Sequence, residues 1–317
     1  MSEGSKALIL SAGLGTRLRP LTAILPKPLM PVANVPLIDI IVERLAGCGF
    51  TALGVNLHHM AEEIRRHLES RKGALSFWFS HEEVILGTGG GIAGFAPFLE
   101  GEEWFLVHNG DVMGDADIQG LVAFHRERRA LATLLLVENE ATNVVRVVPS
   151  GDIIDIRGCL RPHDHAGRLL TFSGIAVYSG SILKALPRGA FYSIIDFLLE
   201  KMQSEGARVA GYAPAAPCYW RDIGSIPSYL ALHRDILSRG IFNPPSMGEP
   251  HKGMLVGKGA HVAPGARIEG FLSLGEGASI GSGALLRDVV VFPGTAVPEG
   301  TEAHDAVFAG SYVAREQ

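Results

Sequence analysis

The run SAGLGTRLRPLTAILPKP, Ser11 to Pro28, gathers two glycines one residue apart and the cations Arg17, Arg19 and Lys27. Gly13 and Gly15 allow backbone N–H groups to come close to a phosphate. Arg17 can bridge phosphate oxygens with its planar fork. Lys27, held between Pro26 and Pro28, adds a point charge with little freedom to lose. The spacing fails the dinucleotide fingerprint, because Leu18 stands where its third glycine belongs. It also lacks the G-x-x-x-x-G-K-[ST] order of a Walker loop. What remains is a cradle for a polyphosphate, in a chain whose net charge is −5.

A second chemical feature is acidic. Asp111 follows the apolar run WFLV and stands before a loop. A carboxylate placed there suits Mg²⁺, a hard cation that favours oxygen ligands. Asp115 and Asp117 read as loop or cap residues.

These groups need a scaffold. KALIL reads as a short buried strand, and the glycine loop follows it directly. Leu37, Ile38, Ile41, Val42 and Leu45 recur at helical spacing behind Pro36. Apolar strand-like runs at 52–56, 75–79, 104–107 and 131–137 alternate with helical patterns. That rhythm predicts an α/β domain with a largely parallel sheet, whose ligands lie beyond the carboxyl ends of its strands. Near residue 240 the pattern changes. The Pro- and Gly-rich stretch at 241–253 reads as a linker after a catalytic domain at 1–240. Over 254–317, Val256, Val262, Ile268, Leu274, Ile280, Leu286 and Phe292 recur every six residues. Ala260, Ala266, Leu272, Ala278, Ala284, Val290 and Ala296 follow them four places on. A six-residue period with glycine corners predicts a parallel β-helix of two or three coils.

Composition excludes several classes. No run reaches the ~20 apolar residues of a membrane span, and the start lacks the apolar stretch of a signal peptide. Cys48, Cys159 and Cys218 are odd in number and far apart, which points to the cytoplasm. The acidic balance gives nucleic acid no purchase. His58-His59 and His163-Asp164-His165 read as solvated loop groups.

The opening run resembles the signature of the sugar-1-phosphate nucleotidylyltransferases, G-x-G-T-R-L-x-P-L-T…P-K-P-L-x-P-V. It matches from Gly13 through Val32. ILGTGGGI, HNGDV, FSGIAVY and WRDIGSIPSYLALH resemble four later segments of that family. The resemblance implies a Rossmann-like (GT-A-like), mostly parallel mixed sheet flanked by helices, followed by a short left-handed parallel β-helix. It implies a reaction in which a sugar 1-phosphate attacks a nucleoside triphosphate and releases pyrophosphate. Arg17 and Lys27 then carry the catalysis. Ala12, Gly13, Gly15, Thr16, Glu82, Gly87, Thr88 and Gly110 meet the nucleotide. Asn143, Arg161 and Gly174 meet the sugar phosphate, and Asp111 with Asp222 holds Mg²⁺.

The family's Glu-Lys-Pro element is absent, and GCLRPHDHAG stands in its place, with Arg161 as the substitute cation. TGGGI with TFSGI resembles the N-acetylmuramate-1-phosphate uridylyltransferases, whereas the tail resembles the mannose-1-phosphate guanylyltransferases. Uracil or guanine, and the sugar, therefore both stay open. The tail is expected to serve homo-oligomer assembly. The rival readings are a silent regulatory subunit that only binds a nucleotide sugar, and a hexapeptide acyltransferase. The second lacks a clear catalytic histidine, since His261 and His304 read as surface residues.

Overall fold

The structure, a computed structural model, describes residues 6–71, 73–161, 165–244 and 246–315. Pro162, His163 and Asp164 lie outside the described residues. The chain separates into two compact units. The first is Met1–Gly13 with Leu45–Trp220, and the second is Leu14–Arg44 with Arg221–Gln317.

In the first unit, β1 (Lys6–Leu10), β4 (Ala52–Leu57), β5 (Ser76–His81) and β6 (Trp104–Asn109) run parallel, with β1 between β4 and β6. The long β11 (Arg168–Ser179) lies antiparallel between β6 and β8 (Ala132–Val137), and β12 (Val209–Tyr212) closes the far edge parallel to β8. The order is therefore β12-β8-β11-β6-β1-β4-β5. A small extension, β9 (Val145–Val147) and β10 (Ile153–Ile156), hangs on the first residues of β11. Strand β8, ATLLLV, is buried at every position, as a continuous apolar run requires when both faces are covered. Helices α2 (Ala61–Glu69), α3 (Gly87–Ala93) and α4 (Ile118–Arg128) pack on the sheet, and α5 (Ile194–Glu205) packs on α3. The core holds Phe95, Phe105, Tyr178, Phe197 and Leu198, each 2 % exposed or less. Burying each such side chain contributes roughly 1.5–3 kcal/mol.

The second unit is built on a β-helix. Strands β14 (Met254–Val256), β16 (Arg267–Leu274), β18 (Leu285–Val291) and β20 (Glu302–Ala309) form one parallel ladder. Strands β15 (His261–Val262), β17 (Ser279–Ile280) and β19 (Ala296–Val297) form another, and β21 (Tyr312–Arg315) turns back antiparallel on β20. Arg267 pairs with Leu285, eighteen residues on, which is three hexads per coil. Leu285 pairs with Glu302, seventeen residues on. The period of six therefore slips by one. The cause is a corner: Gly270-Phe271 in one coil faces the single residue Asp288 in the next, where the register shifts. Past this point the interior takes Val289, Val291 and Val297. The even count carried through Val290, Phe292 and Ala296 is corrected accordingly. Ala296 is exposed, and Phe292 turns outward to meet the Tyr229 ring at 6.5 Å.

The same unit contains the hairpin β2 (Pro31–Val32) and β3 (Val35–Pro36), with Ala33 and Asn34 at φ 47° and 63°. Two successive positive φ values define a type I′ turn, which asparagine tolerates. Helix α1 (Leu37–Gly47) follows it, and α6 (Ile226–Leu237) starts at an N-cap, Ser225, whose hydroxyl accepts the Ser228 N–H.

Candidate active site

The first unit presents the carboxyl ends of β1, β4 and β6 side by side. The chain leaving β1 is fixed at once, because the Ser11 N–H donates to Asn56 Oδ1 at 2.6 Å. Asn56 Nδ2 donates to Glu82 Oε1 at 2.7 Å, and Glu82 Oε2 accepts the Leu86 N–H at 2.9 Å. Glu82, expected to meet the base, is 3 % exposed, and both of its oxygens take protein donors. Its observed work is to hold the exit of β1 and the approach to α3. Gly110 forms the turn after β6, its N–H donating to Leu10 O at 2.8 Å. A Cβ there would sit 2.5 Å from Ser11 Oγ, so only glycine lets these two strand ends approach. Asp111 lies in that turn, before β7 (Val112–Gly114). Asp117 caps α4 through Oδ1, and Asp115 Oδ1 accepts the Tyr219 N–H.

The glycine run of α3 is filled by protein. A Cβ on Gly87 would meet Tyr192 O at 2.8 Å, and one on Gly90 would meet Ala190 O at 2.5 Å. The Gly89 N–H donates to Tyr192 O at 2.8 Å, and Thr88 Oγ1 accepts the Ile194 N–H at 3.0 Å. These glycines seat the segment 190–194 against α3. The consequence is a cavity of about 290 Å³ lined by Thr88, Asn109, Arg157, Phe172, Gly174 and Ser193, among others. Gly174 has φ 87° and lies at the break in the β11 register. A Cβ there would come within 2.8 Å of Asn109 Nδ2. Asn143 sits beside this region as a brace, its Oδ1 accepting from the Thr171 hydroxyl at 2.9 Å and the Asn139 N–H at 3.1 Å. Arg161 is exposed, and its N–H reaches Asp155 Oδ1 at 3.4 Å. It is not among the residues lining the cavity, whereas Arg157 is. The Arg157 guanidinium stands 3.6 Å from Asp196 Oδ1, both side chains being more than half exposed, so the pair holds it weakly.

The second unit carries Gly15, Thr16, Arg17, Lys27 and Asp222. Gly15 adopts φ 60°, and its carbonyl accepts the Thr22 hydroxyl at 3.0 Å. A Cβ on Gly15 would lie 2.8 Å from Thr22 Cγ2 and 3.5 Å from Lys27 Cβ. The turn, Thr22 and Lys27 are thus packed as one body. Thr16 and Arg17 lie in a short 3₁₀ turn, and Lys27 opens another. Around Gly224 the Arg17 guanidinium and the Asp222 carboxylate converge, with Nη2 2.5 Å and Oδ1 3.1 Å from where a Cβ would stand.

The sequence pattern described as Nucleotidyl transferase matches residues 6–239. The chain belongs to that family. This nucleotidyltransferase is 34 % identical over 298 residues to the mannose-1-phosphate guanylyltransferase of Mycobacterium tuberculosis, covering 93 % of this chain and 81 % of that one. It is 34 % identical over 226 residues to the N-acetylmuramate alpha-1-phosphate uridylyltransferase of Neisseria meningitidis, covering 70 % and 94 % respectively. A putative glucose-1-phosphate thymidylyltransferase from Bacillus anthracis shares the fold, with a TM-score of 0.61 at 22 % identity over 76 % of this chain and 98 % of that one. No helix among the nucleotidyltransferase's described residues is long and apolar enough to cross a membrane.

Sequence reasoning missed Asn56, Asn109 and Arg157. Arg157 had a signal, since it stands one residue past β10, where a strand hands its chain to a loop. Asn56 is the penultimate residue of β4, on the strand next to the one that leads into the glycine loop.

Proposed function

We propose that the protein is a sugar-1-phosphate nucleotidylyltransferase that uses UTP or GTP. A phosphate oxygen of the sugar 1-phosphate attacks the α-phosphorus of the nucleotide in line, and pyrophosphate leaves. The nucleophile is already an anion, so the task is to neutralise and align charge rather than to remove a proton. Arg17 binds the departing phosphates and Lys27 neutralises the α-phosphate. Ala12, Gly13, Gly15 and Thr16 offer backbone to the triphosphate, and Gly110 leaves room beside it. Glu82 acts as a positioning residue through Asn56.

The observation that carries this reading is the 290 Å³ cavity, in which Arg157 supplies the charge among the described lining residues. Its volume lies at the small end of ligand sites, roughly 300–1,000 Å³, a size for one sugar ring. Gly174 opens that cavity, Asn143 braces its rim, and Arg157 meets the sugar phosphate where Arg161 was expected. A planar guanidinium there favours two-point contact with phosphate or carboxylate oxygens.

Asp111 and Asp222 are the residues that would hold Mg²⁺. Among the described residues no group of three or more His, Cys, Asp or Glu side chains is arranged for a metal. Two carboxylates completed by phosphate oxygens fit the usual manner of binding this ion. When bound, the cation would neutralise charge developing on the phosphates.

The deciding experiment is a matrix of NTPs against mannose, glucose and N-acetylmuramate 1-phosphates with Mg²⁺, reading pyrophosphate. Release with one pair supports the enzyme, and its base and sugar are read directly. Nucleotide-sugar binding without release from any pair would leave the silent subunit instead.

A further inference from the structure

The β-helix is expected to serve assembly, and its contacts inside the second unit give it a further use. The hairpin that ends the cation loop is seated on the coils. Asn34 Nδ2 donates to Leu274 O at 2.9 Å and to Leu255 O at 3.5 Å. The Ser273 hydroxyl donates to Asn34 Oδ1 at 2.9 Å. One side chain therefore spans β14 and β16, two successive coils. Its neighbour Ala33 donates its N–H to His233 Nε2 at 3.1 Å, and the Tyr229 hydroxyl donates to Pro31 O. The His233 ring stacks on Phe271 at 6.1 Å, the extra residue of the irregular corner. Arg234, the next residue of α6, reaches Asp305 Oδ1 at 2.6 Å and Asp288 Oδ2 at 3.4 Å, on the two corners that follow.

The connection from this anchor to the cations is short and stiff. The Leu37 N–H donates to Met30 O and closes the hairpin, and the Met30 N–H donates to Lys27 O. Lys27 packs on Gly15, and Arg17 meets the residues that lead into α6. Tertiary packing rather than local propensity thus fixes a stretch that holds only short 3₁₀ turns.

We infer that the β-helix is the bed of the cation loop, and that Asn34 is the positioning residue that sets where Lys27 and Arg17 stand. The inference rests on the nucleotidylyltransferase reading for its effect on turnover. The anchor itself is independent of that reading.

The test uses the full chain. Asn34→Gly keeps the positive φ of the turn and removes all three side-chain bonds. We expect its kcat to fall about 10- to 100-fold, the cost of a small misplacement of charge. The KM for sugar phosphate should stay within about twofold, since the sugar contacts are untouched. Hydrogen exchange over residues 14–36 should rise about tenfold or more while the β-helix strands keep their protection. Asn34→Asp keeps an acceptor for Ser273 but turns a carboxylate oxygen toward the Leu274 and Leu255 carbonyls, so its effect should equal or exceed that of Asn34→Gly. Ser273→Ala should move exchange and kcat in the same direction by less. Unchanged exchange and kcat in Asn34→Gly would overturn the inference. So would a uniform rise in exchange across the whole chain, which would make Asn34 a fold residue. If no substrate pair is turned over by the unaltered protein, the functional reading falls, and exchange alone decides the anchor.

Discussion

Two glycine-rich segments, GLGTR and GTGGG, look alike in the sequence and behave differently in the structure. In GTGGG the missing side chains are replaced by protein, with Tyr192 O, Ala190 O and Asn56 Nδ2 standing where Cβ atoms would fall. In GLGTR, Gly13 faces open space with nothing within 4 Å, while Gly15 is closed by Thr22. Glycine thus has three uses here: close packing, a left-handed turn, and clearance. Only the last leaves room for something from outside the chain.

The contrast can be sharpened by substitution. The largest effect belongs to Arg17→Ala, for which we expect turnover to drop about 10²–10³-fold, as when a donor to developing charge is removed. Its melting temperature should match that of the unaltered protein, and a parallel fall in stability would place Arg17 with the packing residues.

Acid should come next. Burial holds His233 down to about 4, against an ordinary 6.5. Its Nδ1–H donates to Tyr229 O and its Nε2 accepts from Ala33, so the ring is neutral in the fold. Between those two values the unfolded chain binds the proton and the folded chain does not. Stability is therefore complete above about 6.5 and is lost as pH falls towards 4, by on the order of 3 kcal/mol. His125, in the sheet unit, is lowered likewise by burial to about 4. Urea midpoints of His233→Gln and His125→Gln across this range separate the two, and an unchanged acid slope in His233→Gln would count against the assignment.

Gly90→Ala ranks third. Its methyl would press on the Ala190 carbonyl, an overpacking that costs about 1–3 kcal/mol, read as a lower denaturant midpoint at constant slope. Gly13→Ala should leave stability within about 0.5 kcal/mol yet reduce turnover about tenfold, as expected if backbone must approach a phosphate there. Equal stability losses in these two variants would erase the distinction between glycines that pack and the glycine that gives clearance.

Much of the fold was readable in the residues because burial imposes simple periods. KALIL had to be a buried strand, and the alternation after it had to cover both faces of a sheet. The hexad pattern announced coils, and counting by six failed at one corner only. The left-handed glycines record that slip: Gly265 to Gly277 spans twelve residues, whereas Gly283 to Gly294 spans eleven. Site residues were less legible. The glycines of GTGGG were expected to let backbone approach the nucleotide; their packing against Ala190 and Tyr192 was not legible, because that segment lies about a hundred residues away. Arg157 and Arg161 are four residues apart, and only the cavity distinguishes them. Asn34 looked like a turn residue, which it is; that its amide also grips two coils depends on tertiary placement that no local pattern records.

Phe271 is an off-beat note in an otherwise regular stack. Coils could be appended at the far end of the solenoid, or trimmed there, and this aromatic knob would keep its seat beside His233. A designer who replaced the irregular turn with an idealised consensus unit would obtain a neater spiral and lose the latch for the hairpin. Regularity and usefulness diverge at a single inserted residue.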